Sequence, residues 1–329
     1  IMDKNTLTGF ILIGLVLLGF SWWNRPTQEQ IEARQHYYDS IQNAQLMQQA
    51  ELEAKQAELN KPIFEETDSD SIKMAKASYT LGDFAQGALG SEEIVTLENE
   101  VVKIDFFFFF ALVESVILKD YLNYKKETLT LFEKGDNWFS IELPTRSNRM
   151  LQTADMNFRV GAKTDSSVVF TLPIEGGRSL DFIYVLHPND YMVDFDVKAN
   201  GLSEVLQPVD ALKSYWKYKV RQQEKGRKFE NRYSQIYYYL TDDEDYEYLS
   251  ETSSETEEVN EKIRWIAYKD QFFSAVLIAD NSVKSATISS ELEPDKSEYL
   301  KAYSSTIMLP YEGGNSQMDL RLFFGPNKY

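Results

Sequence analysis

The sequence predicts a mainly β protein: an all-β sandwich over residues 92–329, preceded by one membrane-spanning helix and a long exposed helix. From about Glu92 to the end, short runs rich in Val, Ile, Tyr and Phe alternate with turn residues, which is the pattern of a many-stranded sandwich. Aromatic residues make up 14% of the chain, and they favour strands. Before residue 92 the texture changes to one uncharged run and one segment rich in Gln, Glu and Ala.

The uncharged run at residues 7–23 predicts a membrane anchor, assigned to residues 1–26. Its sequence, LTGFILIGLVLLGFSWW, spans about 26 Å as a helix, and the closing Trp22 and Trp23 suit a bilayer interface. The following SWWNRP stretch lacks a small-residue cleavage site, which favours an uncleaved anchor over a signal peptide. Contact with the lipid bilayer is therefore expected through residues 7–23. Basic residues nearly balance on the two sides, so charge alone leaves the orientation open.

Residues 27–91 predict a helical spacer followed by a flexible linker. Residues 27–61 begin with a capping-box pattern at Thr27 and Gln30 and carry a thin apolar stripe, which indicates a long exposed helix. Because the stripe is thin, a solvated spacer is favoured over a coiled-coil seam. Residues 63–91 mix Asp, Ser, Gly and Ala, a composition that predicts partial disorder.

Residues 92–329 are expected to form one domain, because strand-like runs recur to the end. The glycine pairs at 176–177 and 313–314 predict hairpin turns. One insertion, residues 241–261, has few apolar residues and carries nine acidic residues between positions 242 and 258. It predicts a solvated, mobile loop whose removal leaves the fold intact.

Composition excludes several classes of function. The formal net charge of −18 disfavours nucleic acid, whose binding depends on Lys and Arg meeting phosphate. The chain has no cysteine, which excludes disulfides, thiol catalysis and thiolate zinc sites.

The sequence predicts no catalytic, cofactor-binding or metal-ligating residues, so the chain is expected not to be an enzyme. Of two histidines, His36 lies on the spacer helix and His187 in a VLHPND turn, which leaves no pair for acid–base catalysis. The acidic insertion lacks the alternating Asp and central Gly of an EF-hand loop. No glycine-rich phosphate cradle and no GxSxG nucleophile motif occurs.

A basic stretch at residues 213–232, KSYWKYKVRQQEKGRKFENR, stands out in this acidic chain. It fits a strand-hairpin rim whose cations balance neighbouring carboxylates. A contact with an acidic partner or a lipid surface also fits, although the rim is favoured.

Four segments carry a family resemblance: MDKNTLTGFILIGLVLLGFSWWNRP at the start, ENEVVKIDF at 98–106, WIAYKDQFFSAVLI at 265–278, and LFFGPNKY at 322–329. They resemble the YidC membrane protein insertases of Gram-negative bacteria, in the form found among the Bacteroidetes. The resemblance implies a β-supersandwich of the galactose mutarotase type in the periplasm, with the anchor in the bacterial inner membrane and a cytoplasmic amino terminus. It also implies five further membrane helices that form the insertase groove, so the chain is expected to hold only the anchor and the periplasmic part.

The function that this resemblance implies is assistance in the insertion and folding of inner-membrane proteins, alone or with the Sec translocon. Nascent membrane proteins and the Sec translocon would be the partners, and the part present would be a scaffold and docking domain. Two alternatives remain open: a membrane-tethered carbohydrate-binding or mutarotase-like protein, and a generic envelope assembly factor. In the signature segment, Trp265, Phe272 and Phe273 are expected to be mainly buried.

Five consecutive phenylalanines at residues 106–110 depart from the family pattern, which has a polar, Gly-containing turn there. Such a run places aromatic rings on both faces of a strand and forms a strong aggregation segment. A buried strand is one interpretation, and an engineered or wrongly assigned segment is the favoured hypothesis.

Overall fold

The computed structural model describes residues 69–88, 94–107 and 111–327. The predicted anchor, the spacer helix and residues 108–110 of the phenylalanine run lie outside these ranges. Within them, no helix is both long and apolar enough to cross a bilayer.

The described residues form two α-helices, α1 (Asp70–Leu81) and α2 (Arg227–Tyr233), and 19 strands. The strands are β1 (Ile94–Glu98), β2 (Val102–Phe107), β3 (Leu112–Leu122), β4 (Thr128–Phe132), β5 (Asn137–Pro144), β6 (Met150–Gln152), β7 (Arg159–Lys163), β8 (Ser167–Ile174), β9 (Arg178–Leu186), β10 (Met192–Asn200), β11 (Ala211–Arg221), β12 (Gln235–Leu240), β13 (Asp245–Tyr248), β14 (Glu255–Val259), β15 (Ile263–Lys269), β16 (Phe273–Val283), β17 (Ala286–Leu292), β18 (Tyr299–Pro310) and β19 (Ser316–Pro326). Short 3-10 turns occur at Gly82–Ala88, Thr153–Asp155 and Leu202–Glu204. The mainly β prediction is confirmed.

The strands form where apolar residues alternate with polar ones. In β8, SVVFTLPI, burial alternates strictly and places Val168, Phe170 and Leu172 in the core. This period of two is what a strand with one buried face requires. The predicted turns at the two glycine pairs join β8 to β9 and β18 to β19, and all four glycines have positive φ, which glycine adopts without strain.

The strands build three antiparallel sheets in the described part of the chain. Their orders are β1-β2-β3-β4, β13-β12-β15-β16-β19-β10-β9-β8-β7, and β14-β17-β18-β11-β5-β6. The four-stranded sheet is tied to the six-stranded one where Asn137 Nδ2 of β5 donates to Val113 O of β3 at 2.9 Å.

The nine-stranded sheet packs against the other two through aromatic rings. Trp216 of β11 stacks on Tyr268 of β15 with ring centroids 3.9 Å apart. Phe139 of β5 meets Phe195 of β10 at 5.7 Å. On the four-stranded side, Phe132 of β4 meets Phe324 of β19 at 5.4 Å. Two large layers of antiparallel strands with one continuous core are the supersandwich architecture that was expected.

The phenylalanine run begins as an ordinary strand. Phe106 is fully buried at the end of β2, with its ring centroid 4.7 Å from that of Tyr184, whereas Phe107 is half-buried on the opposite face. For its first two residues, the buried-strand interpretation therefore describes the segment. The hypothesis of an engineered or wrongly assigned sequence stays a prediction.

Where the sequence predicts a flexible linker, the structure contains α1 and the 3-10 turn Gly82–Ala88. The turn packs on β8: Phe84 is buried, and a Cβ on Gly87 would lie 2.6 Å from Leu172 Cδ1. One buried aromatic ring and one close backbone contact hold this segment against β8. Its polar composition therefore does not show that it is ordered.

The prediction of a mobile acidic loop at 241–261 is wrong. Asp245–Tyr248 forms β13, the edge of the nine-stranded sheet, and Glu255–Val259 forms β14, the edge of the six-stranded sheet. Leu249 between them is fully buried and donates its N–H to Ile236 O at 3.1 Å. We call β13 and β14 the acidic edges. Removing residues 243–258 would take away both edges and a core side chain, so the segment is not separable from the fold.

The expected burial in the signature segment holds for one of three residues. Phe273 starts β16 and is buried, but Phe272 lies in the preceding turn and is 42% exposed. Trp265 is half-buried on the outer face of the nine-stranded sheet, where it stacks on Tyr239 at 5.9 Å. The difference between the neighbouring phenylalanines arises because β16, and with it the buried face, begins only at Phe273.

The stack between the layers predicts a stability ranking. Replacing Trp216, which is 3% exposed, by Ala should lower the free energy of unfolding by about 3–5 kcal/mol, because it leaves a cavity beside Tyr268. Tyr79→Ala, at a residue 84% exposed, is the control and should change stability by less than about 0.5 kcal/mol. Urea unfolding measures both, and similar losses in the two variants would show that the stack does not join the layers.

Candidate functional site

The signature segments at 265–278 and 322–329 lie side by side. β15 and β16 form a hairpin, with Lys269 paired to Ser274, and β16 pairs with β19 from Phe273 opposite Pro326 onward. The two parts of the sequence that carry the resemblance therefore form one structural unit.

Asn327 clasps the tip of this hairpin. Its Nδ2 donates to Asp270 O at 3.1 Å and to Gln271 O at 3.3 Å, and its N–H donates to Phe272 O at 2.7 Å. Its Oδ1 accepts from Ser274 Oγ at 2.6 Å. One amide side chain thus satisfies the backbone of the turn, and an acidic or apolar residue here could not donate and accept at once.

A glycine brings the chain to this position. Gly325 passes so close to the residue before β10 that a Cβ would lie 2.8 Å from the Tyr191 side chain. The Gly-Pro-Asn order of the exit therefore has a steric reason for its first residue and a hydrogen-bonding reason for its third.

Asp270 fastens the hairpin to α2. The carboxylate is 4% exposed and accepts from Gln271 N at 2.6 Å and from Ser234 Oγ at 2.9 Å. Ser234 ends α2, so this contact sets where the helix lies against the sheet.

Glu230 of α2 forms a carboxyl pair with Asp270. Glu230 is fully buried, and its Oε1 accepts from Gln223 N at 2.6 Å and from Glu224 N at 3.0 Å. Its Oε2 meets no donor among the described residues. A proton on Oε2 would make this oxygen a donor toward Asp270, and mutual repulsion of two charged carboxylates favours that proton.

Burial is the main cause of the pKa shifts in this pair. It raises the pKa of Glu230 to about 9, with a further contribution from the negative charge of Asp270. It also raises the pKa of Asp270 to about 6, although the hydrogen bonds from Gln271 and Ser234 oppose the shift. Both shifts are upward, so the folded state favours a proton on this pair, and Glu230 has the larger shift.

Lys301 completes this cluster. It is fully buried, and its Nζ donates to Ser234 O at 2.6 Å and to Glu251 O at 2.9 Å. Burial lowers its pKa to about 8. The lysine ties β18 to the end of α2 and to the segment between the acidic edges.

Two carboxyls and a lysine have the composition of an acid–base site, but here Asp270 and Lys301 bind different atoms of Ser234, and each group serves the packing of α2. Glu230, Asp270 and Lys301 are all buried, so no substrate reaches them. Sequence reasoning missed all three, because each is far from the others along the chain. The one local signal is Glu230, a lone acid between cations in KFENRY.

His187 lies in the turn after β9, as its sequence context predicts. Its Nε2 is 2.7 Å from Asp194 Oδ2, and its carbonyl accepts from Asn99 Nδ2 at 2.7 Å. These contacts join the turn to β10 and to the β1–β2 connection. They fit the structural role that was expected for this residue, which stays a prediction.

Carboxylates also gather on the outer face of the nine-stranded sheet. Asp196 lies opposite Asp319, and its pKa is raised by partial burial first and then by the charges of Asp319, Asp194 and Asp280. Arg321 Nη2 contacts Asp280 Oδ1 at 2.7 Å. In the described part of the chain, no group of three or more His, Cys, Asp or Glu residues is arranged to hold a metal ion.

The basic stretch divides into two halves with different environments. In β11, Lys213 lies 3.7 Å from Glu142, and Arg221 contacts Glu133 at 2.7 Å, so these cations balance carboxylates as predicted. The strand lies between β18 and β5 rather than on a hairpin rim. The second half forms the segment before α2 and most of α2, where Lys225, Lys228 and Arg232 are exposed and Glu230 is buried.

Residues 94–329 match the family described as the YidC periplasmic domain. The match takes in the β sheets and the clasped hairpin. The chain belongs to the YidC periplasmic domain family.

Curated relatives from the YidC family extend the similarity over the whole chain. The membrane protein insertase YidC of Parabacteroides distasonis is 39% identical over 335 residues, which cover 100% of this chain and 52% of the relative. That of Bacteroides fragilis is 36% identical and covers 100% and 52%. The chain thus spans about half the length of the curated relatives it matches.

Solved structures resemble the fold more distantly. A galactose mutarotase-like protein from Lactobacillus casei has a TM-score of 0.45 and 13% identity, covering 70% of this chain and 100% of that one. A galactose mutarotase related enzyme from Lactobacillus acidophilus has a TM-score of 0.42 and 10% identity, covering 70% and 97%. No conclusion about activity follows from likeness at this level.

The carboxyl pair predicts a pH dependence for this YidC-family domain. Folded Glu230 keeps its proton to a pH of about 9, whereas the unfolded carboxyl loses it near 4.5. Between these values the folded state binds more protons, so stability falls as pH rises. Below a pH of about 6, the raised pKa of Asp270 also makes stability fall as pH rises. Above a pH of about 8, the lowered pKa of Lys301 makes stability rise with pH. Between these values, Glu230 is the member of the three whose titration changes stability.

Glu230→Gln should flatten this fall between roughly pH 6 and 8, because Gln donates to Asp270 as protonated Glu does and cannot ionise. Urea unfolding at several pH values measures the slope. Glu312→Gln, at an exposed carboxylate, is the control and should keep the native slope. An unchanged slope in Glu230→Gln would contradict the raised pKa of Glu230.

The clasp predicts a local loss of stability. Asn327→Ala should destabilise the domain by about 1–3 kcal/mol, because it leaves the carbonyls of Asp270 and Gln271 without their donor. The Asp270 amide, which donates to Phe273 O, should then exchange with solvent faster. Asn281→Ala, at an exposed position of β16, is the matched control. Equal effects of the two changes on exchange at the hairpin would refute the clasp.

Proposed function

We propose that this chain is the anchor and periplasmic part of a membrane protein insertase that assists the insertion and folding of inner-membrane proteins. The observation that carries the proposal is the family match over residues 94–329. Relatives named membrane protein insertase YidC, at 36–39% identity over the whole chain, support it. The main domain then faces the periplasm, the amino terminus is cytoplasmic, and residues 7–23 lie in the inner membrane.

In this proposal the domain acts as a scaffold and docking surface and not as an enzyme. Its titratable cluster at Glu230, Asp270 and Lys301 is buried and serves the fold. Its partners are nascent membrane proteins and the Sec translocon. Contacts through a folded surface change how fast and how tightly partners associate, and they involve no covalent chemistry. Loss of the domain should therefore reduce insertion without abolishing it.

The test uses the native full-length protein in its own bacterium, with and without residues 94–327. Deletion should slow insertion of newly synthesised membrane proteins without abolishing it, because surface contacts help positioning but carry no chemistry. Protease protection of a radiolabelled client measures the rate. The control restores the segment with the corresponding domain of the Parabacteroides distasonis relative, which should recover insertion.

An unchanged insertion rate after the deletion would refute a role for the domain in insertion. If the chain also bound a monosaccharide saturably, the carbohydrate-binding alternative would replace the proposal. Complete loss of insertion with normal membrane levels of the protein would show a direct mechanistic role instead of a docking role.

A further inference from the structure

Three segments meet at one end of the domain: the β3–β4 turn, α2 with the residues before it, and the β15–β16 turn. Tyr124 N donates to Gln223 O at 2.8 Å, which joins the first two. The contact between Ser234 and Asp270 joins the second and third, as described above. The Tyr121 ring of β3 packs edge-on against Phe273, with centroids 5.2 Å apart. We call this surface the basic–aromatic end.

Large apolar side chains are exposed on all three segments. They are Leu122 at 60%, Phe229 at 57%, Tyr124 at 43%, Tyr233 at 43% and Phe272 at 42%. Phe229 and Tyr233 are one helical turn apart, and their rings lie 4.8 Å from each other. A single exposed aromatic needs no explanation, but five large apolar side chains on three adjoining segments mark a candidate interaction surface.

Exposed cations lie among these side chains. They are Lys125, Lys126, Lys225, Lys228 and Arg232. Within the part of the chain that the structure describes, none of the five forms an ion pair, and the one ring contact places Lys125 Nζ 5.7 Å from the Tyr124 centroid. In a chain with a net charge of −18, cations without carboxylate partners are available for a partner elsewhere.

Within the three segments the cations outnumber the acids. The exposed or half-exposed acids there are Asp120, Glu127 and Glu224, against five exposed cations. The neighbouring β17–β18 loop adds exposed Asp295 and Glu298, and Glu298 lies 3.7 Å from Arg221. Glu230 and Asp270 lie beneath the surface. Arg227 is used internally, since its guanidinium donates to Ser297 O at 2.9 Å and Tyr299 O at 2.7 Å and so holds α2 in place.

We propose that the basic–aromatic end docks on the headgroup layer of an anionic lipid bilayer. The proposal rests on the proposed function, which keeps the domain beside a membrane. Lys and Arg near a bilayer are attracted by anionic lipids, while aromatic rings settle at the level of the headgroups.

The shape of the surface selects a bilayer over an acidic protein. Leu122 ends β3, Tyr124 lies in the turn after it, Phe272 lies in a second turn, and Phe229 lies on a helix of seven residues. Exposed side chains at a strand end, on turns and on a short helix project outward. Projecting aromatics enter a fluid interface without shape matching, whereas a folded partner would need a complementary surface.

The absence of cysteine allows a direct test with the full chain. Single-cysteine variants Phe229→Cys and Tyr124→Cys carry an environment-sensitive dye, and Met150→Cys on β6, at a residue 58% exposed, is the control. Each is reconstituted into vesicles of phosphatidylcholine alone or with phosphatidylglycerol, and a spin-labelled lipid serves as quencher. The dyes at 229 and 124 should be quenched in the anionic vesicles and the dye at 150 should not.

Charge variants distinguish contact made by the basic–aromatic end from simple proximity to the bilayer caused by the anchor. Replacing Lys125, Lys126, Lys228 and Arg232 by Gln in the Phe229→Cys background should shift the equilibrium away from contact about fivefold per cation. Raised salt should weaken quenching in the same direction. Thermal melting verifies that these exposed substitutions leave the fold intact.

Equal quenching in neutral and anionic vesicles, equal quenching at position 150, or none at 229 and 124 would each overturn the proposal. Cross-linking of position 229 to an acidic protein in native membranes, without lipid quenching, would overturn it in favour of a protein partner. Quenching needs no client protein, so its failure leaves the insertase function standing. A failed insertion assay likewise leaves the quenching result unaffected.

Discussion

The position of Tyr268 between the two layers is the constraint on which the rest of the domain depends. Its ring stacks on Trp216 of the opposite layer and lies 5.2 Å from that of Tyr303, and its hydroxyl donates to Trp216 O at 3.1 Å and lies 2.6 Å from Ser305 Oγ. A tyrosine can be buried here only because its polar tip is satisfied by the far sheet. This side chain therefore fixes both the spacing and the relative register of β15 against β11 and β18, since any sliding would break the stack and the hydrogen bond together.

The end of the molecule follows from this anchor. Tyr268 stands two residues before Asp270, so fixing β15 also fixes the turn that Asn327 clasps and that Glu230 meets from α2. A proton on the buried carboxyl pair removes the repulsion that two charged acids would have in this site. With the pair packed beneath it, α2 keeps its apolar and basic side chains facing outward. A carboxyl pair of this kind in an open cleft would suggest catalysis, whereas here it is buried and positions α2.

Much of the fold could be predicted from local pattern, and the errors have a common physical origin. Alternation revealed the strands, and paired glycines revealed two turns, because both signals lie within a few residues. The acidic edges have the composition of a loop because an edge strand needs only backbone pairing on one side and leaves its side chains free to be charged. Composition does not distinguish Phe272 from Phe273, because the exact start of β16 is set by the partner strand. Glu230, Asp270 and Lys301 were invisible for the same reason: their partners are distant in the chain, and a buried carboxyl beside cations looks like a solvated one.

Charge is distributed so that the two kinds of surface do different work. The acidic edges occupy the open sides of two sheets, where like charges on exposed strands discourage pairing with a second copy. The basic–aromatic end is formed by α2 and two turns and contains no open strand edge. Its exposed cations form no ion pairs with carboxylates of the described residues. Glu230 stands between Lys228 and Arg232 in the sequence of α2, yet it is buried while both cations are exposed. Burial raises its pKa, so this acid packs beneath the helix in its neutral form and adds no negative charge to the exposed basic face.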